Sequence, residues 1–354
     1  MDLGSAFRAP TVGLDIGTSA VKAVVLRKQR GGWSLVAAGE TPLADGHEET
    51  GAPEPTAVSG AVEQLLGSLK QRRARVAAAL SGHAVIVKRL SLPVMTDEEL
   101  NEAIPWEAEQ YIPFDLSEVQ LDYQIVSPPA DAAQSTVDVL LVAAKKDRID
   151  DRAGVIEQAG RKPVVLDIEA FALANAYQMN YPERTDPLTA LLHVGRSVTI
   201  VCLLERGEPV FTRDISIGGQ VHLDGLLRDL GATGVDETAA RRILAGQYPD
   251  DVSPEQVAGV LRDASAQLVL EVRKTIDFFR ATAPIERLSR IVLSGGAWQA
   301  VGLVDLLASE FGAPVDVFDP FRKVTRTSRT LGGDVAGPAY AVAVGLAMRQ
   351  EGDR

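Results

Sequence analysis

The sequence Leu14-Asp15-Ile16-Gly17-Thr18-Ser19 returns in the second half of the chain as Leu192-His193-Val194-Gly195-Arg196-Ser197. In each version an apolar run ends in a glycine that is followed by small hydroxyl residues. A strand that ends in this way and then turns back presents a row of backbone N–H groups, which is a common means of holding an anion. Each version is therefore a candidate phosphate-binding turn, and the pair predicts one nucleotide held between two halves.

The order of elements around the two turns also repeats. Apolar patterning in the first copy predicts three strands, a helix and a further strand, the strands lying at 12–16, 21–26, 33–38 and 76–80. The second copy has the same order, with strands at 190–194, 198–204, 210–217 and 291–293. A repeat at this level predicts two related α/β halves instead of a chance match of six residues.

Two insertions interrupt the repeat. Residues 85–165 alternate as β-α-β-β-α-β, an order that can form a sheet of its own, and Pro105 should kink or restart the first helix. Residues 223–287 are almost wholly helical and are expected to cover one side of a nucleotide cleft. The predicted division is a first half (10–84 and 166–187), an inserted subdomain (85–165), a second half (188–222 and 288–350) and a helical capping subdomain (223–287).

Composition limits the class of protein. The chain has 354 residues, of which 46% are hydrophobic, so it can bury a large core, and its length favours more than one domain. A formal charge of -12 argues against nucleic acid as the main partner. The single Cys202 lies in an apolar run and is expected to be a buried, unreactive thiol. The few histidines have no zinc-type spacing, which fits a reducing compartment.

Nothing in the sequence predicts direct insertion into a membrane. No run approaches the roughly 20 apolar residues that span a bilayer. The N-terminal residues 1–8 lack the core of a signal peptide, and the polar residues 348–354 lack an amphipathic anchor. We therefore expect a cytoplasmic protein that reaches a membrane only through a partner.

The first turn has the residues that a nucleotide requires. The backbone N–H groups of Gly17, Thr18 and Ser19 are suited to β- and γ-phosphates, while Lys22 adds positive charge and Asp15 can hold Mg²⁺ through water. The alternative is an ordinary turn with a solvated lysine.

The second turn differs at one position, because His193 replaces the acid. A neutral imidazole is a poor substitute for a carboxylate that organises Mg²⁺ and the attacking water, so we expect slow hydrolysis. The alternative is that His193 is only a hydrogen-bonded residue at a strand end.

Two further segments suggest binding surfaces. Ser294-Gly295-Gly296-Ala297 lies between a strand and a predicted helix at 299–311, and a glycine pair there allows adenosine to press against the backbone. Such a signal is weak when isolated.

The segment at 106–114, WEAEQYIPF, either ends a core-facing helix or forms the wall of a peptide groove; the candidate wall residues are Tyr111, Ile112 and Phe114.

Five segments together resemble the actin-like ATPase superfamily and, within it, the PilM family of type IV pilus assembly platforms. They are VGLDIGTSAVKAV (12–24), VIVKRLSLPVMTDEELNEAIPWEAEQYIPFD (85–115), LDIEAFALANAY (166–177), RDISIGG (213–219) and IVLSGGA (291–297). The WEAEQYIPF part is the most specific, because FtsA-like proteins, sugar kinases and Hsp70-type chaperones share the nucleotide turns. The resemblance implies a duplicated actin-like (RNase H-like) fold with ATP and Mg²⁺ between its halves.

The resemblance also assigns residues to roles. It places Asp15, as the residue holding Mg²⁺ through water, on the first phosphate turn with Gly17, Thr18, Ser19 and Lys22. The nucleotide residues of the second half are Gly195, Arg196, Ser197, Thr199, Gly218, Gly219, Gly295, Gly296 and Ala297. Glu169 matches the acid that positions water in related ATPases. The helix that usually lends a Glu and a Lys to the nucleoside offers Ala240 and Ile243 instead, which again implies binding with slow or absent hydrolysis.

The partner implied by the resemblance is PilN, a membrane protein whose N-terminal cytoplasmic segment docks in a groove between the first half and the inserted subdomain; other platform or motor proteins follow from the same assembly. Three alternatives to this family stay open. The polar C-terminus disfavours an FtsA-like filament protein. The lack of a transmembrane segment disfavours a GspL-type secretion protein. A phosphotransferase is disfavoured by His193 and by the lack of a second obvious cleft acid.

Overall fold

The first half of the fold is a sheet that begins with a three-stranded meander. The computed structural model describes residues 11–43, 54–71, 75–82, 85–127, 135–184, 186–248, 252–282, 287–326 and 337–353. Residues 1–8, where we predict no signal peptide, lie outside these ranges. The elements of this half are β1 (Thr11–Ile16), β2 (Ala20–Gln29), β3 (Gly32–Pro42), α1 (Pro55–Ser68) and β4 (Arg75–Leu80). Strand β1 pairs antiparallel with β2 and parallel with β4.

The second half repeats this topology. Its elements are β9 (Leu188–Val194), β10 (Thr199–Glu205), β11 (Glu208–Ile215), β12 (Arg290–Ser294), α8 (Leu303–Phe311) and β13 (Val315–Val317). Strand β9 pairs antiparallel with β10 and parallel with β12, as β1 does with β2 and β4. The predicted repeat is therefore confirmed in three dimensions, although α8 begins several residues after the predicted start at Gln299.

The inserted subdomain is a three-stranded sheet covered by one helix. It contains β5 (Val85–Pro93), α2 (Asp97–Glu109), β6 (Val119–Ser127) and β7 (Thr136–Lys145), with the strand order β5-β7-β6. A capping box starts α2, since the Thr96 hydroxyl accepts the Glu99 N–H at 3.2 Å and the Glu99 carboxylate accepts the Thr96 N–H at 2.8 Å. The helix runs through Pro105 without restarting.

The last two elements predicted for this subdomain belong elsewhere. We expected residues 85–165 to form one sheet, but β8 (Lys162–Ile168) pairs parallel with β4 at the edge of the first sheet. Helix α3 (Lys146–Gln158) makes the crossover between them, and its Ile156 is buried in the first-half core. A parallel pair needs such a covering helix. The prediction is wrong for α3 and β8, which complete the first half.

Two helices pack between the two large sheets and join them in one core. They are α4 (Glu169–Asn180) and α9 (Ala341–Ala347). The core around them includes Val24 of the first sheet and Cys202 of the second. The predicted burial of the Cys202 thiol is confirmed, and this burial raises its pKa to about 12. Helix α9 lies so close to α4 that a Cβ on Gly345 would overlap the Ala172 carbonyl oxygen.

The second insertion is helical, as predicted. Its helices are α5 (Gln220–Leu230), α6 (Glu237–Leu244) and α7 (Pro254–Thr282). Helix α7 connects two cores, because Val257 and Leu261 pack with α5 and α6 while Val272 and Ile276 pack on the second sheet. A last short strand, β14 (Val324–Thr325), returns to pair with β3. Among the helices described, none is long and apolar enough to cross a membrane.

Candidate functional site

The first predicted turn joins β1 to β2. The Gly17 N–H donates to the Ala20 carbonyl at 3.1 Å and closes a tight hairpin. Asp15 and Lys22 are directly opposite one another on the paired strands, and the Lys22 Nζ lies 3.7 Å from the Asp15 carboxylate. Both side chains are largely buried, with 12% of Lys22 and 7% of Asp15 exposed. The lysine is thus part of an ion pair, which excludes the alternative of a freely solvated side chain.

The second turn has the same geometry between β9 and β10. The Gly195 N–H donates to the Val198 carbonyl at 2.9 Å, matching the bond at Gly17. Arg196 points away from the turn toward α5, where its Nε donates to the Gln220 side chain at 2.9 Å. Thr199 is completely buried and its hydroxyl donates to the Ile217 carbonyl at 2.7 Å. The expectation that Thr199 contacts a cofactor is therefore wrong, since its hydroxyl is used inside the second half.

The tips of the two turns meet. The Thr18 Oγ1 lies 3.2 Å from the Ser197 Oγ, although the two residues are far apart in sequence. This contact brings the two repeated motifs to the same point between the halves. It also means that any group bound between the tips must separate the two hydroxyls.

Two further glycine turns pack around the second one. The Gly219 N–H donates to the Gly195 carbonyl at 2.8 Å, and the Ala297 N–H donates to the Val194 carbonyl at 3.0 Å. A Cβ on Gly218 would lie 2.5 Å from the Gly195 oxygen. The three turns therefore form one continuous backbone surface. At Gly218 the backbones are so close that there is no room for a side chain. Within that surface, Gly296 is exposed and open space surrounds the position of its absent Cβ.

Acidic residues converge on the floor of the cleft at Glu169, the first residue of α4. Its side chain keeps some contact with solvent, but the packed floor removes most of its hydration. This burial, followed by the negative charge of Asp15 and then Asp214, raises the pKa of Glu169 to about 8; Arg152 and a hydrogen bond from Ser81 act in the opposite direction.

Two of these residues, Asp214 and Arg152, were not predicted from the sequence. Asp214 lies on β11 and accepts a hydrogen bond from the Gly82 N–H of the first half. Arg152 reaches from α3, and its guanidinium donates to the Ile16 carbonyl at 3.3 Å, just before the first turn. We expected no second obvious cleft acid, and Asp214 shows that this was wrong. Its place in RDISIGG, next to Gly218-Gly219, was the available signal.

His193 is a buried, neutral residue that faces the same floor. Its Nδ1 lies 3.0 Å from the Ser294 Oγ, whose hydroxyl donates to the Leu192 carbonyl at 3.2 Å. Burial lowers the pKa of His193 to about 4, with Asp15 opposing and Lys22 reinforcing the shift. This geometry favours the interpretation of His193 as a hydrogen-bonded residue at a strand end. Because the charge of Asp15 acts on its pKa, His193 also lies near the first turn.

The depressed pKa of His193 predicts acid sensitivity. In the unfolded chain a histidine takes up a proton near pH 6.5, whereas folded His193 does so only near its pKa of about 4. Stability should therefore fall as pH decreases from 6.5 to 4, by about 3 kcal/mol from this residue. Urea unfolding of the native protein and of His193→Asn across this range measures the effect. Equal pH slopes for the two proteins would contradict it.

Glu169 predicts the opposite dependence. Because its folded pKa of about 8 exceeds the unfolded value of 4.5, folding binds a proton between these pH values and stability is lost as pH rises through them. Glu169→Gln removes this penalty and should stabilise the empty protein by about 4 kcal/mol at pH 8, with little change at pH 4. Thermal unfolding at the two pH values tests this, and a destabilised variant at pH 8 would refute the charge argument.

The second candidate surface is at the end of α2. Tyr111 is 42% exposed and lies beneath the Lys88 ammonium at 5.1 Å, while Phe114 is partly buried with the Lys145 ammonium 4.2 Å from its ring centre. Ile112 is buried in the core of the small sheet, so its prediction as a groove wall is wrong. Tyr111 and Phe114 stay candidates.

The helix that we expected to lack a Glu and a Lys for the nucleoside is α6. Ala240 and Ile243 are buried in the core of the helical subdomain, where they contact α5 and α7. On the same helix, Arg241 is paired with Glu237 at 2.6 Å. No group of three or more acidic, histidine or cysteine side chains suited to binding a metal directly occurs among the residues described.

Comparison with known proteins agrees with this architecture. The PilM–PilN type IV pilus biogenesis complex contains a chain 28% identical to this one, with a TM-score of 0.81, and the match covers 97% of this chain and 98% of the other. The ethanolamine utilization protein EutJ of Carboxydothermus hydrogenoformans is 17% identical, with 97% and 90% covered and a TM-score of 0.56. MreB5 of Spiroplasma citri bound to AMPPNP is 15% identical, with 95% and 94% covered and a TM-score of 0.53.

These neighbours confirm the predicted actin-like fold. In addition, the family described as type IV pilus assembly protein PilM matches residues 13–351. This match extends from the strand before the first turn to the C-terminal residues and thus includes every element of the cleft. The chain belongs to the PilM family of type IV pilus assembly proteins.

Proposed function

We propose that this protein is a nucleotide-responsive scaffold of the type IV pilus platform. It holds Mg-ATP between its two halves with slow or absent hydrolysis, and it docks the N-terminal cytoplasmic segment of PilN beside the inserted subdomain. In this arrangement the protein lies on the cytoplasmic face of the inner membrane and is held there by its partner. The observation that carries the proposal is the contact between Thr18 and Ser197, which joins the two repeated turns at one point.

The phosphates are placed where the turns converge. We assign the phosphate contacts to the backbone N–H groups of residues 18–19 and 196–197, because the N–H groups of Gly17 and Gly195 are already used inside the turns. The Gly218-Gly219 turn leads into α5, an 11-residue helix whose positive N-terminal end favours an anion. The adenosine then lies along Gly295-Gly296, where open space at Gly296 leaves room for it.

The acids on the cleft floor fit a hydrated magnesium ion. Asp15, Glu169 and Asp214 lie on this floor with Arg152 and Lys22, so three carboxyl groups stand against two basic groups. Burial raises the pKa of Glu169 to about 8 in the empty protein, and a bound cation would favour the ionised form of this carboxyl group. Mg²⁺ commonly keeps several waters and binds through few carboxylates together with substrate phosphates. When bound, the ion neutralises phosphate charge. Asp15 is the residue we assign to it, through water.

Slow turnover follows from the residue that replaces the second acid. Neutral His193 stands where a carboxylate would organise Mg²⁺ and the attacking water, and its Nδ1 is occupied by Ser294. This replacement therefore favours binding over hydrolysis.

The inserted subdomain is linked to both halves, which supports coupling between nucleotide and partner. Arg89 of β5 lies 3.7 Å from Glu205 of the second half and 2.7 Å from Asp138 of its own sheet. Just before this subdomain, Gly82 donates to Asp214 of the second half. A change in the angle between the halves must therefore move or break these contacts. We propose that this is how ATP alters PilN docking.

Calorimetric titration tests both parts of the proposal. Mg-ATP is titrated first, and then a synthetic peptide of the PilN N-terminal segment, with and without Mg-ATP. We expect Tyr111→Ala to weaken peptide binding about tenfold, since an exposed aromatic side chain is a frequent energetic centre of an interface. Tyr248→Ala is the matched control, because Tyr248 is 47% exposed on the helical subdomain. Absence of peptide binding in all conditions would contradict the scaffold.

A phosphotransferase of the same fold is the second candidate, because Asp214 supplies a cleft acid beside Glu169. Such an enzyme needs a carboxylate that accepts the proton of a substrate hydroxyl. Multiple turnovers of ATP at a rate of roughly 1–100 per second, typical of kinases, would favour this candidate over the scaffold.

A further inference from the structure

A buried chain of polar contacts crosses the second half behind the proposed nucleotide site. His222, in the first turn of α5, has its Nδ1 3.1 Å from the Gly219 carbonyl oxygen and its Nε2 2.9 Å from the Ser265 Oγ of α7. The Ser265 hydroxyl lies 2.7 Å from the Val301 carbonyl. Both side chains are buried, with 3% of His222 and none of Ser265 exposed.

The two ends of this chain of contacts are carbonyl groups in segments that adjoin the proposed nucleotide site. Gly219 belongs to the glycine turn that packs on the second phosphate turn. Val301 follows the Gly295-Gly296 turn and is held near it, since the Ala300 N–H donates to the Ala297 carbonyl at 3.1 Å. The chain therefore sets the positions of two segments against α7.

This chain of polar contacts is one hydrogen atom short when His222 is neutral. Its three contacts join two nitrogens, one hydroxyl and two carbonyl oxygens, so each contact needs its own hydrogen. A neutral imidazole supplies one and the serine hydroxyl supplies another. If Nε2 is protonated, the Gly219 contact has no hydrogen; if Nδ1 is protonated, one of the two contacts of the Ser265 hydroxyl has none. An imidazolium supplies the missing hydrogen and completes all three contacts.

No charged side chain among the described residues faces the ring. Burial lowers the pKa of His222, and only the Gly219 carbonyl opposes this shift. The charged residues on the surrounding elements are exposed and lie elsewhere: Asp224 on α5, Arg262 and Asp263 on α7, and Asp305 on α8. The positive N-terminal end of α5 adds to the penalty on a charged ring. The empty protein therefore holds the neutral, incomplete chain.

We propose that His222 and Ser265 are positioning residues of the nucleotide site and that nucleotide binding draws a proton onto His222. This inference rests on the proposed function, which places phosphates against Gly218-Gly219. Their negative charge offsets the positive end of α5 and so favours the imidazolium. The third hydrogen then completes the contacts that link the Gly219 and Val301 segments to α7.

The test compares affinity for Mg-AMPPNP between pH 5.5 and 8. Binding coupled to proton uptake weakens as pH rises, by about tenfold for each unit by which the pKa of His222 increases on binding. His222→Asn keeps a donor near Gly219, whereas His222→Gln keeps one near Ser265, and neither titrates. We expect both variants to show a flatter pH profile than the native protein. Titration of the nucleotide and of Glu169 is common to all three proteins and cancels.

Nitrogen NMR of the His222 ring in the native protein provides a readout that needs no variant. The expected result is a neutral ring in the empty protein at pH 7 and an imidazolium with Mg-AMPPNP bound. A neutral ring in the complex, or identical pH profiles for native and variant proteins, overturns the proton coupling but leaves nucleotide binding intact. Absence of Mg-AMPPNP binding at every pH overturns the proposed function and this inference together.

Discussion

Gly345→Ala is expected to destabilise the protein by about 4 kcal/mol or more, or to prevent folding. The added Cβ would overlap the Ala172 carbonyl oxygen of α4. Helix α9 cannot move away without opening the core between the two sheets, because all seven of its residues are buried. Inserting a group into packed structure of this kind forces backbone shifts that cost several kcal/mol. Chemical unfolding measures the loss.

Gly60→Ala is the matched control, because it makes the same chemical change inside another helix. No heavy atom lies within 4 Å of the position that a Cβ on Gly60 would occupy in α1. Alanine restricts the unfolded chain and favours helix, so this variant should gain about 0.5–1 kcal/mol. Opposite signs for the two substitutions are the expected result. A Gly345→Ala protein as stable as Gly60→Ala would show that α9 does not pack as described.

Gly296→Leu should abolish nucleotide binding, with a loss of at least about 100-fold in affinity, or ~2.8 kcal/mol. The position is exposed and open, so the leucine side chain does not disturb the fold but occupies the space that we assign to adenosine. Calorimetric titration with Mg-ATP measures the loss, and thermal unfolding checks that the variant is folded. If ATP controls docking, PilN peptide affinity in this variant also becomes independent of ATP.

Gly259→Leu is the control for an added leucine at an open glycine. Gly259 is exposed on α7, and a Cβ there would have no neighbour within 4 Å. We expect native nucleotide affinity in this variant and a small gain in stability, because leucine is the better helix former. Unchanged ATP affinity in a folded Gly296→Leu protein would place the adenosine elsewhere.

Most of the fold could be predicted because its signals are local. Strand patterns, the capping box at Thr96 and the turns after β1 and β9 each depend on residues close together in the sequence. The failure at β8 has the opposite cause. A short apolar strand can complete either of two sheets, and its pairing with β4 spans the whole inserted subdomain. Nothing near residues 162–168 specifies that choice.

In the candidate site, too, the correct predictions rest on local signals, whereas the wrong ones depend on contacts between distant segments. The glycines of the turns were identifiable because backbone geometry restricts the residue type at those positions. The errors at Thr199 and Ile112 concern which way a side chain faces, and burial by distant elements decided it. Asp214 and Arg152 were missed because each joins the cleft floor from an element whose position depends on the assembled halves.

The amino-acid sequence by itself determined the duplication, the two phosphate-type turns and the replacement of an acid by His193, since these are properties of residue type and order. Only the tertiary structure decided that Thr18 meets Ser197, that Glu169 gathers Asp15 and Asp214 around it, and that His222 joins α5 to α7. The physical reason is that hydration and charge at a site depend on all the surfaces that enclose it. Those surfaces come from parts of the chain that meet only when the two halves pack.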